Sequence, residues 1–249
     1  MFDEFDLVQL FHENSKRNIF HTVVELDMNS KPQAFKEYPN CPRIELPTNR
    51  LNLRTELNEL ILKRRSCRDF ISKPIDLESL SRILYLGYGI TENLYFENSE
   101  IFCRPCPSGG GLYPYEIYPI VLNVDKLENG IYHYCPIDHS LEFLKKGNFI
   151  TDLIRLFMHQ EYINNSSICI VISCVLERSV WKYGSRGYRY ALLEGGHIIQ
   201  NMCLTATAEN LGTLPLGGFY DNALANFIGI DPINEPVVYG LSIGHKEKG

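Results

Sequence analysis

Lys182 and Tyr183 stand side by side just beyond a β-branched apolar run, residues 168–176. An ammonium beside a phenol stabilises the phenolate and lowers its pKa, which makes the tyrosine usable as a general base. The same two residues could instead form an interfacial aromatic cluster with Trp181, the lysine snorkelling past the rings. A second group is Arg64-Arg65-Ser66-Cys67-Arg68. Three guanidiniums within five residues repel one another unless an anion compensates, and their forked donors suit a phosphate or a polarised carbonyl pair. The bland alternative is a solvated helix end, where the helix dipole favours cations.

Two glycine turns complete the chemical inventory. Residues 107–118 read Pro-Ser-Gly-Gly-Gly-Leu-Tyr-Pro-Tyr-Glu-Ile-Tyr. Gly109, Gly110 and Gly111 lack Cβ, so their backbone can take positive φ and approach a flat ligand or a phosphate. A tight turn before a strand is the plainer reading. These glycines precede a strand, whereas dinucleotide fingerprints and P-loops place glycines after a strand and before a helix. Pro215-Leu216-Gly217-Gly218-Phe219 is a second glycine turn that could approach the edge of a planar ring, or simply connect strand to helix. Cys103 and Cys106 make a Cys-x-x-Cys that has no second pair at ligand spacing and runs into Pro107 instead of opening a helix. Neither zinc nor a redox motif is expected there, and the seven histidines are too scattered for a metal site.

The elements that must position these residues follow from periodicity. Residues 3–15 suit a short amphipathic helix. Pro32, Pro39, Pro42 and Pro47 prevent regular structure over 17–50. Phe35, Tyr38, Ile44 and Leu46 make that stretch an arm wrapped on a surface. Helices are expected over 55–65, from an Asp76 cap to Gly87 or Gly89, over 149–159, over 188–211 and over 221–228. Strands are expected over 117–124, 130–134, 141–144, 168–176, 213–216 and 236–243, with a loop or short hairpin over 91–103. The 168–176 run should be a central strand buried on both faces. Helices and strands mix without βαβ alternation, so the expected class is α+β, a sheet with helices packed on it. There is no internal repeat and no low-complexity tract.

Composition narrows the partners. The chain has 249 residues, 45% hydrophobic and 22% charged, ordinary for a globular protein. A net charge of −6 argues against nucleic acid, which needs a basic face. The N-terminus lacks a basic, apolar signal and no apolar run is long enough to span a bilayer, so a cytoplasmic protein with eight free cysteines is expected.

Taken together, Arg-Arg-Ser-x-Arg-x-Phe, the Pro-Ser-Gly-Gly-Gly-Leu-Tyr-Pro loop, a long helix containing Gln200-Asn201 and Pro-Leu-Gly-Gly-Phe resemble the FMN-dependent nitroreductase family, over roughly residues 55–245. Ordinary members carry an Asn-x-Gln-Pro-Trp type segment where this chain has Gly111-Leu112-Tyr113-Pro114-Tyr115. Arg-Pro-x-Pro-Ser-Gly-Gly-Gly-Leu-Tyr-Pro-x-Glu is similar to the SagB-type, McbC-like branch, the azoline dehydrogenases of thiazole/oxazole-modified peptide biosynthesis. Lys182-Tyr183, followed by Arg186-Gly187-Tyr188-Arg189, matches that branch.

The resemblance implies a nitroreductase-like fold with a mostly antiparallel sheet and FMN held at a homodimer interface. Arg64 and Arg65 would approach the phosphate, and Ser66 and Arg68 the N1/O2 edge of the isoalloxazine. Pro107, Ser108, Gly109 and Gly111 would line the ring, and Leu216, Gly217 and Gly218 would lie near N5. Of the basic residues that the family places after its last strand, Lys246 and Lys248 remain for the phosphate. The implied reaction is oxidation of thiazoline or (methyl)oxazoline rings in a precursor peptide, with Tyr183 and Lys182 as base, hydride passing to the flavin and molecular oxygen reoxidising it. A cyclodehydratase complex is the implied partner. Residues 1–54, helix and arm, carry no transferable motif and are expected to contact peptide or partner, with 55–249 as the FMN-binding domain. An NAD(P)H-dependent nitroreductase or quinone reductase would leave the Lys-Tyr pair idle. A flavin-binding scaffold would tolerate its loss.

Overall fold

The computed structural model describes residues 4–17, 19, 26–48, 51, 53, 55–96 and 99–247. Among these, the elements follow as α1 (Glu4–Asn14), β1 (Arg43–Glu45), α2 (Leu57–Lys63), β2 (Phe70–Ile71), α3 (Leu77–Tyr88), β3 (Glu92–Phe96), β4 (Ser99–Cys103), β5 (Tyr115–Val121), β6 (Gly130–Cys135) and β7 (Ser140–Lys146). The chain continues with α4 (Ile150–Leu156), β8 (Ile168–Cys174), α5 (Leu176–Tyr183), α6 (Ser185–Ala208), β9 (Gly212–Leu216), α7 (Asp221–Ile228) and β10 (Val237–Lys246). Strands run in the order β1-β7-β6-β5-β8-β10-β2, with β9 also paired to β10, while β3 and β4 form a separate hairpin. Every ladder between named strands is antiparallel, as expected for an α+β fold.

β8 explains the layering. Its side chains alternate sides. Ile168, Ile170, Ile172 and Cys174 enter a core under α3 and α6, and Cys169 and Val171 enter a second core with α4 and α7. Both faces of the central strand are therefore covered, and its continuous apolar run follows from that. α3 begins where expected, the Asp76 carboxylate accepting from Ser79 N at 2.7 Å. α6 packs closely because of its small residues: a Cβ on Gly195 would lie 2.5 Å from the Tyr115 hydroxyl, which donates to Ala191 O at 2.7 Å.

The prolines do not keep 17–50 free of regular structure, since Arg43–Glu45 forms β1. β5, α6 and β10 are shifted by up to three residues at their ends, and three further boundaries differ from the sequence reading. The buried strand stops at Cys174, and residues 176–183 form α5, which was not expected; Gly184, at φ +57°, separates α5 from α6. Leu176, Val180 and Tyr183 do stand at helical spacing, but the segment has only eight residues and directly follows the apolar strand, so its period does not stand out. The helix expected to reach His159 stops at Leu156, because Met158 and His159 turn into the left-handed region. The helix expected over 55–65 is Leu57–Lys63.

The arm lies on the sheet through a buried polar network. Tyr38 N donates to Glu142 Oε1 at 3.0 Å, and Lys36 Nζ reaches Tyr118 Oη at 3.0 Å and Glu235 at 2.6 Å. His133, fully buried, lies between Glu142 (2.7 Å) and Glu116 (2.9 Å). Burial alone would lower the imidazole pKa, but the hydrogen bonds and charges of the two carboxylates raise it.

Candidate active site

The glycine loop turns through a short 3-10 segment, Gly109–Gly111, directly before β5. Gly111 N donates to Ser108 O (3.1 Å), and Tyr113 N donates to Ser108 Oγ (2.9 Å), which ties the loop shut. Gly110 sits at φ +67°. A Cβ there would lie 2.5 Å from the Tyr183 hydroxyl oxygen and 3.0 Å from Lys182 Nζ. Glycine is thus required twice, for its φ and for the approach of the pair. A Cβ on Gly109 would meet the Tyr190 ring at 3.2 Å. Tyr183 packs edge-on against Tyr190 at 5.1 Å, and Lys182 Nζ and the Arg17 guanidinium lie 5.6 and 5.7 Å from its ring centroid. The end of α5 therefore delivers a phenol and an ammonium onto bare loop backbone, an arrangement suited to taking a proton from a group held against the loop.

Behind the loop, α6 supplies Glu194, 2% exposed. Burial pushes its carboxyl up to about 7, with Ser108, Arg104 and Tyr88 pulling it back. Arg104 is itself buried; it stacks 4.1 Å over Tyr88 and donates from Nη1 to Tyr88 O at 3.1 Å.

The arginine segment occupies the other end of α6. Ser66 bridges Thr213 and Cys67 N donates to Thr213 O at 2.8 Å, so the segment runs alongside the start of β9. Burial raises the Cys203 thiol, and the nearby Arg64 guanidinium is among the groups opposing that rise. Arg65 and Arg68 are exposed, Arg68 lying 5.8 Å over the Tyr162 ring. β9 ends in buried Leu216 and exposed Gly217; a Cβ on Gly217 would meet nothing nearer than Tyr239 at 3.8 Å. Gly218 O accepts from Gln160 Nε2 at 3.3 Å. Lys246 pairs in register with Phe70, two residues beyond Arg68. Lys248 lies outside the described residues. Among the described residues, Arg64, Arg65, Arg68 and Lys246 have no carboxylate partner. Guanidiniums and an ammonium without ion-pair partners among the described residues, on the segment that runs alongside the strand leading to an open glycine turn, fit an anionic group attached to a flat ring.

The structure thus brings Pro107, Ser108, Gly109 and Gly111 together with Lys182 and Tyr183, and Ser66 together with the strand ending at Leu216. It does not join the two sets within one chain. Tyr190 and Cys203, which mark the two ends, are 13 residues apart on α6, about 20 Å at 1.5 Å per residue. Sequence reasoning named Gly110 as permissive backbone but left it out of the ring-lining residues, and it missed Glu194, Arg104 and Arg178. Arg104 stood in the quoted Arg-Pro-x-Pro motif. Glu194 and Arg178 carried no local signal, since their importance lies in burial. No helix among the described residues is long and apolar enough to cross a membrane.

Comparison with known proteins bears on the family and the fold. A family model described as the nitroreductase family matches residues 61–245. A nitroreductase-family protein of Methanocaldococcus jannaschii is 37% identical over 175 residues, covering 70% of this chain and 85% of that protein. The microcin B17-processing protein McbC of Escherichia coli is 33% identical over 134 residues, 51% of this chain and 49% of McbC. Among solved structures, a nitroreductase-like protein of Anabaena variabilis superposes with TM-score 0.80 and 27% identity, over 95% of this chain and 46% of that one. Two others share the fold at lower identity. One is a chain of the E. coli microcin synthetase McbBCD complex with truncated pro-MccB17 (TM-score 0.66, 23% identity, 97% of this chain, 92% of that one). The other, from Desulfovibrio desulfuricans, was solved in complex with FMN (TM-score 0.54, 18% identity, 78% and 88%). The chain thus spans about half the length of McbC and of the Anabaena protein.

Proposed function

The chain belongs to the nitroreductase family, and from that premise we propose that it is an FMN-dependent azoline dehydrogenase, oxidising thiazoline or (methyl)oxazoline rings of a precursor peptide to thiazole or (methyl)oxazole. The observation that carries the reading is the seating of Lys182 and Tyr183 on Gly110. A phenol and ammonium fitted to the loop backbone are placed to abstract a proton from a group held against that loop. The likeness to a protein that processes microcin B17 supports a peptide substrate.

FMN is the cofactor, and the residues fit it: Arg64, Arg65 and Lys246 for the phosphate, Ser66 and Arg68 for the ring edge, and Pro107, Ser108, Gly109, Gly111, Leu216, Gly217 and Gly218 for the flat face. When bound, FMN supplies the acceptor for a hydride. Tyr183 takes the proton from the azoline Cα, and Lys182 keeps the phenolate charge compensated while the tyrosine does so. Because the glycine loop and the arginine segment lie about 20 Å apart along α6, a second copy of the chain would complete each site. The open side of α6, with Leu192 44% and Leu193 64% exposed, supplies an apolar face for that homodimer. A cyclodehydratase complex, contact through residues 1–54, molecular oxygen as final acceptor and a cytoplasmic location complete the proposal. The stronger identity to the M. jannaschii protein favours a second reading, an NAD(P)H-dependent nitroreductase with an idle Lys-Tyr pair.

The test is Tyr183→Phe and Lys182→Ala. Each variant should keep its flavin absorbance and lose azole formation by roughly 10²–10⁴-fold, read as the absence of the loss of about 2 Da per oxidised ring that removal of two hydrogens produces. Near wild-type oxidation by both variants would remove the pair from catalysis.

A further inference from the structure

A cavity of about 300 Å³ opens between the N-terminal arm, the β3–β4 hairpin, the glycine loop and α5. Its walls are aromatic: Phe35 from the arm, Phe102 from the hairpin, Tyr113 from the loop and Trp181 from α5. Arg104 and Arg178 also line it, only 8% and 4% exposed. Most of their donors are used within the fold. Arg104 Nη1 donates to Tyr88 O (3.1 Å), Arg178 Nε donates to Gln33 O (2.7 Å) and Arg178 Nη2 pairs with Glu116 (2.6 Å). Arg104 Nε and Arg178 Nη1 are buried without a partner. Buried guanidinium N–H groups left unpaired are costly, and both belong to residues that line one cavity, where a ligand that supplies acceptor oxygens would relieve them.

We propose that this cavity seats the backbone of the substrate peptide, with amide carbonyls accepting from Arg104 Nε and Arg178 Nη1 and a neighbouring aromatic or large apolar side chain held among the rings; this rests on the azoline reading above. Charge favours a carbonyl over a carboxylate. The Arg178 charge is already met by Glu116, and Arg104 is held over aromatic rings, so neutral acceptors satisfy the free donors without adding a buried carboxylate. Arg104 is clamped 4.1 Å over Tyr88, 5.1 Å over Tyr113 and 5.5 Å over Phe35, which fixes its donor direction before any ligand arrives. Location adds a further reason. Gly110 borders the cavity, and it is also the residue on which the Tyr183 hydroxyl and Lys182 Nζ sit. A peptide seated here presents its next residue to that pair. The arm supplies one wall, which gives residues 31–35 a part in choosing the residue beside each ring.

Trp181 is the single tryptophan of the chain, so its fluorescence reports directly on this cavity. The flavin-loaded protein is titrated with a capped, ring-free pentapeptide, Ac-Gly-Gly-Phe-Gly-Gly-NH2, with the Ser analogue in place of Phe, and with 3-phenylpropanoate. The Phe peptide should change Trp181 emission saturably and bind at least tenfold more tightly than either comparison ligand. Ala34→Phe, which fills the cavity from an exposed arm position, should weaken that binding at least tenfold with flavin absorbance unchanged. Arg104→Lys, which keeps the charge and removes Nε, should weaken it at least fivefold, and should that variant not fold, Ala34→Phe alone decides. No saturable response to the Phe peptide, unaltered binding in Ala34→Phe, or binding of the carboxylate alone would each overturn the assignment. These peptides carry no azoline, so such a failure leaves the Tyr183 and Lys182 test standing. Tight peptide binding by a protein that oxidises no azoline would sink the dehydrogenase reading and keep the cavity.

Discussion

At the N-terminal end of α6 the surroundings are crowded and aromatic: behind the loop the charges of Arg104 and Glu194 are buried, while Lys182 is exposed and Tyr183 half-buried at the mouth. Gly110 leaves 2.5 Å between a would-be Cβ and the Tyr183 hydroxyl, Glu194 is 2% exposed, and Arg104 lies among rings. At the C-terminal end the surface is open and cationic: Arg65, Arg68 and Lys246 are exposed and have no carboxylate partner among the described residues. The difference teaches how the labour is divided. The first end can hold a phenol, an ammonium and a substrate rigidly, and a rigid, partly dry setting is what proton transfer needs. The second end can hold a doubly charged phosphate, and exposed, mobile guanidiniums suffice for that.

The harshest way to break this division is Gly110→Val. The side chain would enter the space of Tyr183 and Lys182 at a backbone angle of φ +67°. Azole formation should fall by roughly 10²–10⁴-fold, the typical contribution of a positioned base, and should stay low at saturating FMN, because the loop that lines the ring is distorted while the phosphate grip at the other end is untouched. Full recovery of azole formation on adding FMN would erase the division.

Glu194→Gln sharpens the account of the crowded end. The carboxyl has a folded-state pKa near 7, raised above its ordinary 4.5 mainly by burial. The native chain therefore holds a proton that the unfolded chain has released between about pH 4.5 and 7. The wild type loses stability across that window as pH rises, and the loss is complete above it; it amounts to about 3 kcal/mol at 1.36 kcal/mol per pH unit. The Gln variant should lose that share of the pH dependence and keep the share from His133, whose imidazole pKa is also raised. Urea unfolding at pH 5 and pH 8 measures both, and equal pH dependence of the two proteins would mean that Glu194 is not a buried neutral carboxyl.

The smallest effects test how the ends meet. Arg68→Gln should weaken FMN binding about tenfold, the lower end of what a charge-assisted hydrogen bond contributes, measured by quenching of FMN fluorescence. Mixing Arg68→Gln protein with Tyr183→Phe protein, under conditions that exchange subunits and with FMN kept below saturation of the weakened site, should restore azole formation to about a quarter of wild type. Half the dimers are then mixed, and each has one intact site. No restoration would mean that both ends act within one chain, against the roughly 20 Å that α6 places between them.

What the sequence determined by itself was local. Ile168–Cys174 declared a doubly buried strand by composition, and Asp76 declared a helix start by its capping chemistry. The triple glycine declared a backbone able to take positive φ, realised at Gly110 and Gly111. Each of these depends on neighbours a few residues away, where spacing and side-chain type are sufficient. The candidate site residues were legible as types for the same reason. Their arrangement was not. Which glycine meets Tyr183, that Arg104 and Glu194 lie behind the loop, that the arm walls a cavity with Trp181, and that the arginines stand at the opposite end of α6 all depend on contacts between residues tens of positions apart. Those contacts are selected by how the helices pack across two cores, and one linear pattern is compatible with many such packings until the tertiary structure chooses among them.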